Sequence, residues 1–156
     1  MAKIIRINGC DEINVDRPVG KGGVNLREDV MVIQAMLKYA LEGRSYFQGD
    51  FFPMPSGVMD KDTLTLIEAY QTFLRRECGR KVSVDGRIDP AKGIFVSDRR
   101  TLTWTISQLN AHAQEVHLYS SKGGGRNYLA GIRNMYPQVD AILSKTAVGT
   151  LSLALS

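Results

Sequence analysis

Between Asn25 and Gly43 the chain reads NLREDVMVIQAMLKYALEG, and its apolar residues return at the three- and four-residue spacing of a helix. Val30, Ile33, Leu37 and Leu41 form the stripe, and Met36 and Ala40 widen it. Asn25 is a good N-cap with Glu28 three residues on, and Gly43 is a natural stop. The pattern recurs down the chain. Leu64, Ile67, Tyr70, Phe73 and Leu74 give a second helix, with Asp60 and Asp62 suited to its first turn and Gly79 ending it. Ser97-Asp98 opens a third, striped by Leu102, Ile106, Leu109, Ala113 and Val116. Asn127 caps a fourth, on which Tyr128, Ile132, Met135, Val139 and Ile142 share a face. Pro137 interrupts that pattern, which predicts a kink, or two helices with Pro137 in a first turn. The fold class is therefore mainly α. A short strand at residues 3–7 and the alternating end TLSLALS can add a small terminal β-pair.

The segments between the stripes are glycine- and proline-marked. Arg17–Gly23 is turn-rich and breaks any regular element. Residues 43–57 mix Gly and Pro with Tyr46, Phe47, Phe51 and Phe52, so this loop is expected to fold over the core, with a ligand platform as the other use of its rings. With 156 residues, 44% apolar and 23% charged, the chain has the makings of one soluble globular domain. No apolar run reaches the ~18–20 residues of a membrane helix. The start, MAKIIRING, is not a secretory signal, so the expected location is cytoplasmic, or the periplasm or cell wall by a non-classical route. Cys10 and Cys78 are too few for a disulfide scaffold and read as unpaired thiols. The net charge of +4 comes without a basic tail or interleaved aromatics, which argues against nucleic acid.

Catalytic and metal patterns fail on spacing. His112 and His117 are five apart, about 140° round a helix, and do not share a face as an HExxH pair does. Neither GKGG at 20–23 nor KGGG at 122–125 has the phosphate-loop spacing. Asp60-Lys61-Asp62 lacks the later Gly and Glu of a calcium loop. Nothing here calls for a cofactor, a metal or a catalytic group. Gln34 and Gln71 stand beside apolar positions, where their amides are expected to bond loop backbone and hold turns in place.

Residues 24–110 resemble a known family, the three-helix peptidoglycan-binding-like domain found beside many cell-wall hydrolases. Val30, Ile33, Gln34 and Leu37 match its first helix. Thr63, Ile67, Tyr70 and Gln71 match its second. Asp85-Gly86 matches its turn, and Thr101–Ile106 the opening of its third helix. Ser56-Gly57 stands where the family's first Asp-Gly turn would be, and about ten residues (91–100) are added before Thr101. The resemblance implies a helical bundle over 24–120, with an N-terminal extension (1–23) and a C-terminal helical extension (121–156) packed on it. It also implies non-catalytic binding of peptidoglycan or a related wall polymer in a groove between helices two and three. Tyr70, Arg75, Asp85, Arg87 and Trp104 would line that groove, with Arg87 pairing a stem-peptide carboxylate and a ring stacking on sugar or peptide. Partners would be the wall polymer and an associated hydrolase or secretion component. The alternative is a protein–protein adaptor using the leucine-bearing tail Thr150–Ser156; a wall hydrolase built on carboxylates ranks below both.

Overall fold

The computed structural model describes residues 2–7, 10–91, 94–95, 104–119, 128–145, 149–150 and 153–154. The chain is mainly helical. It opens with a hairpin of β1 (Lys3–Ile7) and β2 (Cys10–Asn14), in register from Lys3 opposite Asn14 to Ile7 opposite Cys10. A two-residue strand, β3 (Val19–Gly20), follows within the stretch where the glycines predict only a turn. Then come α1 (Arg27–Leu41), a single 3-10 turn (Ser45–Phe47) and α2 (Lys61–Arg76). The short strands β4 (Arg87–Ile88) and β5 (Ile94–Phe95) lead to α3 (Thr105–Tyr119), α4 (Tyr128–Met135) and α5 (Pro137–Leu143). The chain finishes with β6 (Gly149–Thr150) and β7 (Leu153–Ala154).

The first helix is the hub. All of α1 except Arg27, Glu28 and Lys38 is buried, including Met31, Val32 and Ala35 on the side opposite the expected stripe. A helix buried on every side is covered all round rather than half-exposed. Ile4 and Ile13 of the hairpin, and Val15 just after it, join the same apolar cluster as α1, α2, α3, α4 and α5. Four buried amides tie strands and loops to this core. Asn110 on α3 accepts from the Ile13 amide (2.9 Å) and donates to the Ile13 carbonyl (2.9 Å), while Tyr128 donates to it across 2.6 Å. Asn14 makes the same two-way exchange with Ala91, at 2.9 and 3.1 Å. Gln34 and Gln71 are the other two.

Two expected boundaries move. Asn25 is not the cap of α1: at φ 57° it turns back, accepting from the Gly20 amide (2.7 Å) and donating to the Gly20 and Gly23 carbonyls (3.1 Å each). Leu26 holds the cap position without a side-chain bond. The third helix starts at Thr105, with Trp104 outside it, rather than at Ser97-Asp98; Ser97, Asp98, Thr101, Leu102 and Asn127 lie outside the described residues. Pro137 does split the fourth pattern, sitting in the first turn of α5 with Tyr136 between the two helices. The tail pairs as two pieces. Thr150 lies parallel to β1 opposite Arg6, whereas Leu153 and Ala154 lie parallel to β5 opposite Ile94 and Phe95. No helix among the described residues is long and apolar enough to cross a membrane.

Candidate functional site

The second helix is set by its ends. Asp60 accepts from the Thr63 amide (2.7 Å) as N-cap, and beyond the last turn Gly79 takes φ 64° while the Arg80 amide reaches back to the Leu74 carbonyl (2.9 Å). This fixes the rotation that aims Gln71 inward, where it is fully buried. Its carbonyl oxygen accepts from the Gly86 amide (2.8 Å), and its nitrogen donates to the Arg87 carbonyl (2.8 Å) and to Asp85 Oδ1 (3.1 Å). Thr105 Oγ1, in the first turn of α3, is 3.4 Å from the same nitrogen. One side chain thus holds all three residues of the turn and the start of the next helix.

Gln34 does the same one helix earlier. It accepts from the Ser56 and Gly57 amides (2.9 Å each) and donates to the Val58 carbonyl and Thr63 Oγ1 (3.0 Å each). Each buried glutamine therefore clamps a glycine turn, Gly57 at φ 81° and Gly86 at φ 71°, and a threonine opening the next helix. The two clamps are structural equivalents, with Thr105 rather than Thr101 as partner of Thr63. The bonding role expected of both glutamines is what the structure contains.

A second layer backs the Gly86 turn. Val19 pairs with Ile88 and Gly20 with Arg87, and Lys21 donates its amide to the Gly86 carbonyl (2.9 Å). A Cβ on Gly20 would stand 2.1 Å from that carbonyl oxygen, so only glycine fits. The stretch 18–23, readable in sequence only as a loop, is the platform on which the turn rests.

Asp85, Arg87 and Trp104 gather round this clamp. Asp85 is exposed and accepts from the Arg87 amide (3.0 Å). Arg87 keeps 41% of its side chain exposed, and its Nε donates to Asp89 Oδ1 (3.0 Å). Trp104 precedes Thr105 and is partly buried against the core. Arg75 is exposed one turn further along α2. Tyr70 belongs elsewhere: it has no exposed surface, and its hydroxyl lies 2.8 Å from His112 Nδ1 in the interior. A ligand arriving from outside has no part of Tyr70 to touch.

The Tyr70–His112 pair is a buried contact. Burial pushes the Tyr70 hydroxyl well above its ordinary range. Burial, reinforced by the Arg44 guanidinium, holds His112 below the usual imidazole value. Arg44 braces the pair, donating to the Ala40 carbonyl (2.7 Å) and the His112 carbonyl (3.2 Å) and meeting Glu115 at 3.6 Å. The aromatic loop leans on the same place, with Phe73 ring centres 5.2 Å from Phe47 and 5.7 Å from His112. No three His, Cys, Asp or Glu side chains gather into a metal-ligand set among the described residues.

No family model matches this chain, and neither a curated protein nor a solved structure is significantly similar to it.

Proposed function

We propose that this chain is a non-catalytic module that binds bacterial peptidoglycan or a related cell-wall polymer, holding itself or an associated hydrolase on the wall. The reading takes α1, α2 and α3 with their two clamped glycine turns as a peptidoglycan-binding-like bundle. The observation that carries it is the Gln71 clamp. A turn whose backbone is bonded on one side by a buried amide, and on the other by the strand at Val19–Gly20, is ordered before any ligand arrives. Binding to such a surface loses little entropy.

The chemistry on that surface suits a stem peptide. Arg87 offers a guanidinium that meets Asp89 through Nε alone, and an incoming carboxylate can take the two-pronged geometry that Asp89 does not use. Asp85 can accept from a peptide amine, and the exposed part of Trp104 gives an apolar edge. Arg75 adds positive charge along α2. A shallow face of this kind binds weakly on its own and gains from tethering to a partner.

Co-sedimentation with purified insoluble peptidoglycan at low salt tests the proposal. The intact chain is expected in the pellet and the Arg87→Ala variant largely in the supernatant. An intact chain that stays in the supernatant contradicts it.

A further inference from the structure

We propose that the trough between the C-terminal end of α1 and the aromatic loop is a saccharide subsite, taking a pyranose ring of a glycan strand. The choice of a wall sugar rests on the wall-binding reading; the saccharide chemistry rests on the trough itself. It is an open depression of about 420 Å³, within the ~300–1,000 Å³ typical of small-molecule sites, and is lined by Lys38, Glu42, Phe47, Gln48, Asp50 and Phe51 among others.

The lining has two kinds of surface. Phe51 leaves 66% of its area in solvent, while its neighbours Phe47 (1%) and Phe52 (8%) are buried beneath the loop. Phe47 is locked by edge-on contacts with Phe52 and Phe73, at 6.4 and 5.2 Å between ring centres. Backbone bonds from Phe47 to the Arg44 carbonyl and from Asp50 to the Phe47 carbonyl (3.0 Å each) hold the turn that carries Phe51. An exposed ring thus stands on an ordered support. Around it are one cation, two carboxylates and an amide, with Lys38 donating to Glu42 across 2.7 Å.

This mixture selects its ligand class. A wholly apolar ligand would strip water from Lys38, Glu42 and Asp50 without replacing their hydrogen bonds. A strongly anionic ligand would meet Glu42 and Asp50, and a strongly cationic one Lys38. A pyranose has a C–H face to lay on the Phe51 ring and hydroxyls along its edge for carboxylate, amide and ammonium groups.

The probe is a peptide-free β-1,4-linked N-acetylglucosamine tetrasaccharide, titrated into the full chain and followed by amide chemical shifts. Saturable shifts are expected over Gln48–Phe52. Phe51→Ala, at an exposed position and with its fold checked by circular dichroism, should weaken binding about tenfold. Asp50→Asn should weaken it less, and Arg87→Ala should leave it unchanged. Absence of shifts at millimolar tetrasaccharide, or unaltered affinity in Phe51→Ala, overturns the subsite. Sacculus binding without tetrasaccharide binding overturns the subsite and leaves the wall reading standing. Tetrasaccharide binding without sacculus binding keeps the subsite and overturns the wall reading.

Discussion

At the scale of single residues, buried amides do the organising. A glutamine or asparagine side chain has the same donor and acceptor as a peptide group, so in the core it can replace a missing backbone partner. Gln71 gives the sharpest case: its removal leaves the Gly86 amide and the Arg87 carbonyl without their side-chain partner. Gln71→Ala is expected to cost about 2–4 kcal/mol of stability in urea unfolding; a loss below ~1 kcal/mol would mean that water replaces the clamp. His112 makes a second prediction. Its folded-state value is held below the ordinary 6.5, so the unfolded chain takes up a proton first as pH falls. Stability is therefore full above pH ~6.5, declines below it, and levels off once the folded-state value is passed. Unfolding measured across that window should show a shallower decline in His112→Gln. Equal slopes would show that His112 is not the group responsible. Gln34 and Gln71 were legible in the sequence, because an amide beside an apolar stripe has to be satisfied somewhere. Asn14 and Asn110 were not, since their partners lie 77 and 97 residues away.

Among the elements, the helices were legible and their edges were not. Apolar periodicity locates α1 and α2, and Pro137 marks the break between α4 and α5, because both signals are local. The start of α3 coincides with a tertiary contact, Thr105 beside Gln71, and Asn25 is drawn from its cap position by three bonds to the glycine loop. Periodicity does not report such choices. The short strands escape for the same reason, as a two-residue pair such as Val19–Gly20 with Arg87–Ile88 has no sequence pattern of its own. The tail is partly legible, since its alternation points to a strand but not to a change of partner from β1 to β5. Removing residues 149–156 should leave β1 with β2 as its remaining strand partner. Amide exchange is expected to speed up over Lys3–Ile7 while the centre of α1 stays protected. Unchanged exchange in β1 would show that the parallel pairing contributes nothing to holding that strand.

For the whole molecule, one apolar cluster from Ala2 to Leu143 holds two exposed surfaces in place. The Gln71-clamped turn presents Asp85 and Arg87, and the loop after α1 presents Phe51. The family resemblance offered Asp85, Arg87 and Tyr70 as site candidates; the first two reach solvent, while Tyr70 is buried, because an aromatic at a helical core spacing reads the same whether it faces a groove or the interior. In the proposed function the preformed turn recognises the wall polymer. The decisive experiment titrates an isotope-labelled full chain with a soluble disaccharide-peptide fragment of peptidoglycan. Saturable shifts at the Gly86 and Arg87 amides and the Trp104 indole, abolished by Arg87→Ala, are the expected result; a titration that leaves those three signals unmoved would contradict it.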